Sequence, residues 1–197
     1  MITAAEMMEL ERTSGVPVHT LMENAGKAVA SAIKEKQDVK DKKILIAAYH
    51  GNNGGDGFVA ARHLCDDATV DVLFVGDEKK LKPEAAANYK RIDENVKVQF
   101  VDEEGVDFDE YDIIVDALLG TGTQGPLKPL LRKVIEGVNA SKAFKVSIDI
   151  PSGINPDTGE VVDIAVNADL ILCFHDIKAG LKGMEDKVEV VDIGIQK

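Results

Sequence analysis

Short, β-rich apolar runs alternate along the sequence with stretches that have helical periodicity. Several of the runs are apolar on both faces, which is typical of buried strands in a parallel sheet. The predicted strands are Ile44–Ala48, Val70–Val75, Val98–Val101, Ile113–Asp116, Phe144–Asp149, Leu170–Phe174 and Val188–Ile193. The helical stretches between them include Phe58–Leu64, Pro83–Arg91 and Pro129–Val138. This order predicts an α/β fold with a Rossmann-like, doubly wound, mainly parallel sheet flanked by helices.

Two extra helices are predicted before the first strand. The pairs Thr3 with Glu6 and Thr20 with Glu23 have the spacing of a capping box, in which a hydroxyl and a carboxylate satisfy free amides at a helix start. Apolar residues of the second helix recur every three or four positions and would pack on the sheet: Leu21, Ala25, Ala28, Val29, Ala32 and Ile33. Because no repeat and no long linker divides the sequence, we predict a single domain over residues 1–197.

Charge and cysteine content narrow the classes of partner. A formal net charge of −12 would repel nucleic acid and anionic lipid. The apolar runs stop far short of the roughly 20 residues of a membrane helix, and the segment Met1–Glu6 lacks the basic and apolar regions of a signal peptide. Cys65 and Cys173 lie in apolar segments without metal-ligand spacing. We therefore expect a cytoplasmic protein with two reduced, buried cysteines.

A glycine-rich segment follows the first predicted strand. In an open parallel sheet, ligands bind beyond the carboxyl ends of the strands, where this segment, Gly51–Gly57, would lie. Its four glycines predict a loop with positive φ angles and exposed amides that leads into a helix near Phe58 and holds phosphate. The pattern is neither G-x-G-x-x-G nor a P-loop, which disfavours transfer of a γ-phosphoryl group. A tight turn without a ligand is the alternative.

Two other strand ends carry an aspartate. Asp116 precedes the glycine and threonine segment Gly120–Pro126, and Asp149 precedes Ile150–Gly153. The two aspartates are expected to face one crevice, although each alone also fits a helix cap or a turn. With Asn53 and Ser152 they would form an all-oxygen cluster, which suits a weakly held hard cation and not zinc.

For three basic side chains the sequence leaves the function open. His175 and Lys178 follow the strand Leu170–Phe174, where Lys178 either meets a phosphate or belongs to a solvated loop. His50 either borders the ligand or lies in a surface turn.

Five motifs in chain order resemble those of the NAD(P)H-hydrate epimerases, the YjeF amino-terminal domain family. They are Leu21–Gly26, Gly51–Gly57, Asp116–Gly122, Asp149–Gly153 and Val191–Ile195. The resemblance covers essentially the whole chain. It implies an isomerase that repairs nicotinamide cofactors by interconverting the R and S epimers of hydrated NADH and NADPH (NADHX and NADPHX), so that a dehydratase can restore both.

The resemblance also implies roles for individual residues. Asp149 would contact the hydrated ring, and we take it as the catalytic residue that moves a proton. Asn53, Asp116 and Ser152 would hold a potassium ion, and the family suggests a homodimer. The phosphates and sugars of the substrate would be bound by Asn52, Asn53, Gly54, Gly55, Asp56, Gly120, Thr121, Gly122, Thr123, Gln124, Gly125 and Pro126.

The chain departs from the family pattern at two places, and two rival functions remain open. Tyr49-His50 stands where many relatives have a further glycine, and Asp176-Ile177 replaces the more usual proline before Lys178. One rival is a non-catalytic nucleotide sensor or protein or RNA scaffold with the same fold. The other is a dehydrogenase or methyltransferase, which lacks the G-x-G-x-x-G fingerprint and has only Asp77 or Glu78 as a ribose partner.

Overall fold

The strands form one parallel sheet. The structure is a computed structural model that describes residues 1–101, 105–122 and 125–196. Within these ranges the strands are β1 (Lys43–Ala48), β2 (Thr69–Phe74), β3 (Lys97–Phe100), β4 (Ile113–Ala117), β5 (Phe144–Ile148), β6 (Leu170–Phe174) and β7 (Val188–Val191). The α-helices are α1 (Ala4–Thr13), α2 (Val18–Lys36), α3 (Asn52–Leu64), α4 (Pro83–Tyr89) and α5 (Pro129–Ala140). The predicted fold class, including the two amino-terminal helices, is confirmed.

The order of the strands is β3-β2-β1-β4-β5-β6-β7, and each neighbouring pair is parallel. The chain moves outward in one direction from β1 to β3 and then returns to place β4 on the other side of β1. The crevice outside the carboxyl ends of β1 and β4 is therefore the topological switch point, where ligands of open α/β sheets bind.

The two faces of the sheet are covered by different helices. Ile44 and Ile46 of β1 belong to a buried cluster with apolar residues of α2, α3 and α4. Leu45 and Ala47 of the same strand face the opposite way and pack with α5. The alternation along β1 thus buries both faces, which explains why its sequence is continuously apolar.

One of the two predicted capping boxes is present. Thr3 accepts a hydrogen bond from the backbone of Glu6, whose carboxylate accepts one from the backbone of Thr3. The prediction for Thr20 and Glu23 is wrong, because α2 begins at Val18, after Pro17, and Thr20 lies inside the helix. Since Arg62 and His63 of α3 bind the carboxylate of Glu23, at 2.5 and 2.8 Å, it is not available for the helix start.

The predicted face of α2 is mostly correct. Leu21, Ala25, Val29, Ala32 and Ile33 are buried, whereas Ala28 is only partly buried. The helix packs closely on α3 as well as toward the sheet.

The glycine-rich segment is helical and not a loop. Helix α3 begins at Asn52, and Gly54, Gly55 and Gly57 lie in its first turns without positive φ. A Cβ at Gly54 would collide with the carbonyl oxygen of Tyr49, and one at Gly57 would lie 2.6 Å from Cβ of Ala117. The predicted loop and its positive φ angles are therefore wrong, but close backbone approach is the reason for these glycines.

Cys65 and Cys173 are both free thiols. Cys173 is buried as predicted, whereas Cys65 is only partly buried. Among the helices that the structure describes, none is long and apolar enough to cross a membrane.

Candidate active site

A cavity of about 850 Å³ lies at the switch point of the sheet. Its walls come from α1, the start of α3, the segment after β4, the start of α5 and the residue after β5. The predicted site residues that line it are Asn52, Asn53, Asp56, Gly120, Thr121, Gly122, Pro126 and Asp149. The structure therefore brings together polar groups from segments that are distant in the sequence.

The other predicted site residues lie elsewhere. Gly54 and Gly55 are buried where α3 packs against Tyr49 and Met22. Gly125 and Ser152 line a smaller neighbouring cavity of about 30 Å³. Thr123 and Gln124 lie outside the residues that the structure describes.

Asp116 lies beneath the cavity and does not line it. Its side chain, at the end of β4, is 1% exposed. It accepts hydrogen bonds from the hydroxyls of Ser147, at 2.8 Å, and Ser152, at 2.6 Å, and from the backbone amides of Ser152 and Leu118. Burial raises the pKa of Asp116 even though these hydrogen bonds act in the opposite direction. The expectation that both aspartates face the crevice is wrong for Asp116.

Asn53 and Ser152 both hydrogen-bond to the backbone of Leu119, and Ser152 also binds Asp116. The amide of Asn53 donates to the Leu119 carbonyl oxygen at 3.0 Å, and the Leu119 amide donates to the Ser152 hydroxyl at 2.9 Å. No lysine, arginine or histidine of the described chain contacts Asp116. The group thus combines a buried carboxylate with hydroxyl, carbonyl and amide oxygens and has no cationic side chain among the described residues. Such an oxygen donor set suits a hard cation of low charge.

Asp149 forms a buried ion pair with Lys178. The Nζ atom of Lys178 lies 2.5 Å from Oδ1 of Asp149 and donates to the carbonyl oxygen of Phe174 at 2.8 Å. Lys178 is fully buried, so it is neither a phosphate ligand at the surface nor part of a solvated loop. Sequence reasoning missed this pair because the two residues lie on different strand ends, β5 and β6.

The backbone of Asp149 is in the left-handed region. Its φ is 66°, and the Phe174 amide donates to its carboxylate at 3.2 Å. Residues other than glycine adopt this conformation at a cost that the surrounding structure must offset, and such residues cluster at functional sites. The strained turn and the lysine together fix the carboxylate against the cavity.

A second carboxyl group, that of Asp56, lies on the cavity wall. Asp56 is in the second turn of α3 and is 8% exposed. Burial, followed by the negative charges of Asp149 and Glu11, raises its pKa well above the ordinary value. Asp56 and Asp149 thus have different electrostatic environments around one cavity.

Helix α1 closes one side of the cavity, which the sequence did not indicate. Its residues Ala4, Ala5, Met7, Met8 and Glu11 line the wall. Burial and the nearby charge of Asp149 raise the pKa of Glu11.

The segment that contains Lys178 holds α1 in place. The Ile2 amide donates to the carbonyl oxygen of Ile177 at 2.8 Å, and the terminal ammonium group of Met1 lies 3.1 Å from Asp176. At the first turn of α1, the Ala4 amide donates to Asp157 at 2.7 Å.

Basic residues line another part of the wall. Lys128 donates to the hydroxyl of Tyr49 at 2.8 Å, and His50 stacks beside Tyr49 with ring centroids 3.7 Å apart. Lys82, before α4, also lines the cavity. Burial, followed by the charges of Lys128 and Lys80, lowers the pKa of His50. His50 therefore borders the cavity, in a partly exposed bend after β1.

The fold and the site define a doubly wound α/β protein with a polar cavity at its switch point. Residues 18–180 match the family described as YjeF-related protein N-terminus. The NAD(P)H-hydrate epimerase of Nitrosopumilus maritimus is 35% identical over 192 residues, which cover 94% of this chain and 89% of that protein. The chain belongs to the family of YjeF-related protein N-termini.

Other relatives are longer. The bifunctional NAD(P)H-hydrate repair enzyme Nnr of Methanothermobacter thermautotrophicus is 43% identical over 194 residues, which cover 92% of this chain but 37% of that protein. The chain thus spans less than half of the length of such bifunctional relatives. The crystal structure of yeast ynu0 superposes with a TM-score of 0.84 at 23% identity, covers 98% of this chain and 87% of its own, and has the same fold.

Proposed function

We propose that this chain is an epimerase that interconverts the R and S forms of hydrated NADH and NADPH. The observation that carries the proposal is the 35% identity with a protein named NAD(P)H-hydrate epimerase, over nearly the full length of both chains. The cavity supports it, because a volume of about 850 Å³ is within the range of small-molecule sites. Nothing in the site favours the sensor, scaffold or dehydrogenase alternatives.

The distribution of charge suggests how the substrate lies. The amino end of α3 at Asn52 and the side chains of Lys82 and Lys128 offer positive potential to phosphates. The sugars and phosphates would also be contacted by cavity-lining residues after β4: Gly120, Thr121, Gly122 and Pro126. Gly54 and Gly55 act indirectly, since they allow α3 to pack close to its neighbours.

Asp149 is the residue we assign to proton transfer at the hydrated carbon. Epimerisation opens a bond at that carbon and closes it again on the other face, so a proton must be accepted and returned. The carboxyl of Asp149 lines the cavity and is fixed by Lys178 and by the Phe174 amide. A positioned general acid or base contributes about 10²- to 10⁴-fold to a rate.

The oxygens around Leu119 fit a potassium ion. Asn53, Asp116 and Ser152 would hold it, together with the Leu119 carbonyl group that Asn53 contacts. When bound, the ion would supply positive charge that stabilises the buried carboxylate and orders the strand ends of β1, β4 and β5. The chain's own residues carry out the proton transfer.

Functional coupling to an NAD(P)H-hydrate dehydratase is part of the proposal. Its support is that longer relatives are named bifunctional NAD(P)H-hydrate repair enzymes. The product of one activity would be the substrate of the other. A homodimer and a cytoplasmic location remain our predictions from the sequence.

A coupled assay tests the proposed activity. Purified R-hydrate of NADPH is supplied with a dehydratase that accepts only the S form, and recovery of NADPH absorbance is followed. We expect recovery well above the spontaneous rate of epimerisation. Recovery at the spontaneous rate, while the hydrate still binds, would contradict the proposal and favour a sensor.

A further inference from the structure

We infer that Asp56 is a second catalytic residue, which donates the proton to the departing hydroxyl while Asp149 receives one from the returning water. The inference rests on the proposed epimerase function and gives the carboxyl groups of Asp56 and Asp149 different roles in it. It starts from the position of Asp56 on the wall of the cavity that also contains Asp149.

The carboxyl group of Asp56 lies on the cavity wall without a protein partner among the described residues. Only 8% of the residue is exposed, and none of the residues that the structure describes forms a hydrogen bond or an ion pair with its side chain. Polar groups that are largely buried nearly always have a partner, so an unpaired carboxyl group that reaches the cavity is available to hydrogen-bond a bound ligand. By contrast, Asp116 accepts four hydrogen bonds below the cavity.

The surroundings of the two carboxyl groups differ in a way that suits opposite roles. Asp149 is held by a buried lysine at 2.5 Å, whereas Asp56 has no cationic contact in the described chain. Burial and two neighbouring carboxylates raise the pKa of Asp56, which favours its protonated form. Pairs of titratable groups with contrasting environments mark the acid and the base of a site.

The chemical step then balances without a redox partner. The Asp56 carboxyl group protonates the hydroxyl, the carbon–oxygen bond breaks, and the lone pair of the adjacent ring nitrogen forms a carbon–nitrogen double bond as water leaves. A water molecule adds to the opposite face, and Asp149 takes its proton. One proton has moved from Asp56 to Asp149, and exchange with solvent restores the starting state. In the reverse direction the two residues exchange roles.

The test compares Asp56→Asn with the matched exposed variant Asp66→Asn just beyond the same helix. Epimerisation of R-hydrate of NADPH and its Kd are measured for both, with Asp56→Ser as a second variant in case the asparagine perturbs folding. We expect Asp56→Asn and Asp56→Ser to lower kcat by about 10²- to 10⁴-fold, to change Kd by less than a few-fold, and Asp66→Asn to change neither.

The pH profile provides a second readout. Seven other charged or titratable groups line the cavity, so their titration must be separated from that of Asp56: Glu11, Tyr49, His50, Lys82, Lys128, Asp149 and Asp157. Lys178 behind Asp149 is the remaining charge. We expect wild-type kcat to fall at high pH as Asp56 loses its proton, and this limb to be absent from the residual activity of Asp56→Asn.

Three results would overturn the inference. They are full turnover in Asp56→Asn, an unchanged alkaline limb in that variant, and a weakened Kd with normal kcat, which would make Asp56 a binding residue. A wild-type chain without epimerase activity would instead contradict the proposed function, so the two failures are distinguishable.

Discussion

The Nζ atom of Lys178 lies 2.5 Å from Oδ1 of Asp149, inside the protein and below the cavity wall. Lys178 is fully buried and also donates to the carbonyl oxygen of Phe174. The pair joins the ends of β5 and β6 and fixes a residue whose φ is 66°. The position of Asp149, after β5, therefore depends on Lys178 in the segment that follows β6.

Removing Lys178 is predicted to destabilise the protein strongly. Lys178→Met leaves the Asp149 carboxylate buried without an opposite charge, which costs about 3–5 kcal/mol. Urea unfolding measures the loss. Lys80→Met, which removes an exposed lysine 3.9 Å from Asp77, is the control and is expected to cost less than about 1 kcal/mol. Combining Lys178→Met with Asp149→Asn is expected to recover part of the loss, and equal losses in the single and double variants would contradict the account.

The glycine at position 54 is predicted to be required for packing of α3. Gly54→Ala places a Cβ against the carbonyl oxygen of Tyr49, so the backbone must shift, and overpacking of this kind costs about 1–3 kcal/mol. Gly51→Ala is the matched control, because a Cβ there has no neighbour within 4 Å and φ is −83°. Thermal or urea unfolding compares the two. Similar stability in both variants would show that the close contact between Gly54 and the Tyr49 carbonyl does not limit the stability of the fold.

Asp56 is predicted to reduce stability as pH rises. Its pKa is raised above the ordinary value of 3.8, so the folded state binds the proton more tightly than the unfolded state. Below the ordinary pKa no stability is lost. The loss grows as pH rises from the ordinary pKa toward the raised pKa of the folded state and is complete above it. We expect Asp56→Asn to gain stability relative to wild type between pH 4 and pH 7 in urea titrations. A stability difference between Asp56→Asn and wild type that does not vary with pH would contradict the raised pKa of Asp56.

Potassium is predicted to stabilise the folded chain through Asp116. A ligand that binds only the folded state adds about 2.7 kcal/mol when its concentration is one hundred times its Kd. We expect Tm and activity to rise in potassium chloride relative to choline chloride at equal ionic strength. Asp116→Asn should lose this dependence. The proposal of a specific site fails if wild type shows the same Tm and activity in both salts.

The fold was predictable from the sequence because buried parallel strands are apolar on both faces. The ends of β1, β4, β5 and β6 were located to within a residue, and these ends position the site. Helix α3 was predicted six residues too late, from Phe58 instead of Asn52, because glycine disfavours a helix by about 1 kcal/mol per residue. Here tertiary packing against Tyr49 and Ala117 requires glycine and outweighs that preference.

The site was predictable where its residues follow strand ends and not where they depend on long-range contacts. Asn52 and Asp149 were singled out by position, and both line the cavity. Lys178 was noted after its strand, but its buried contact with Asp149 was not predicted. Glu11 was not singled out, since only the folded chain brings α1 to the cavity. A lysine after an apolar strand is ordinarily solvated, and no local pattern distinguishes a buried one.

Epimerisation of the isolated hydrates measures the proposed activity without a coupling enzyme. Pure R- and pure S-hydrate of NADPH are incubated separately with the protein and resolved by chromatography, with Asp149→Asn in parallel. An epimerase brings both samples to the same ratio of R to S without forming NADPH, and Asp149→Asn slows this by about 10²- to 10⁴-fold. Two samples that keep their starting epimer for as long as the samples without protein would contradict the account.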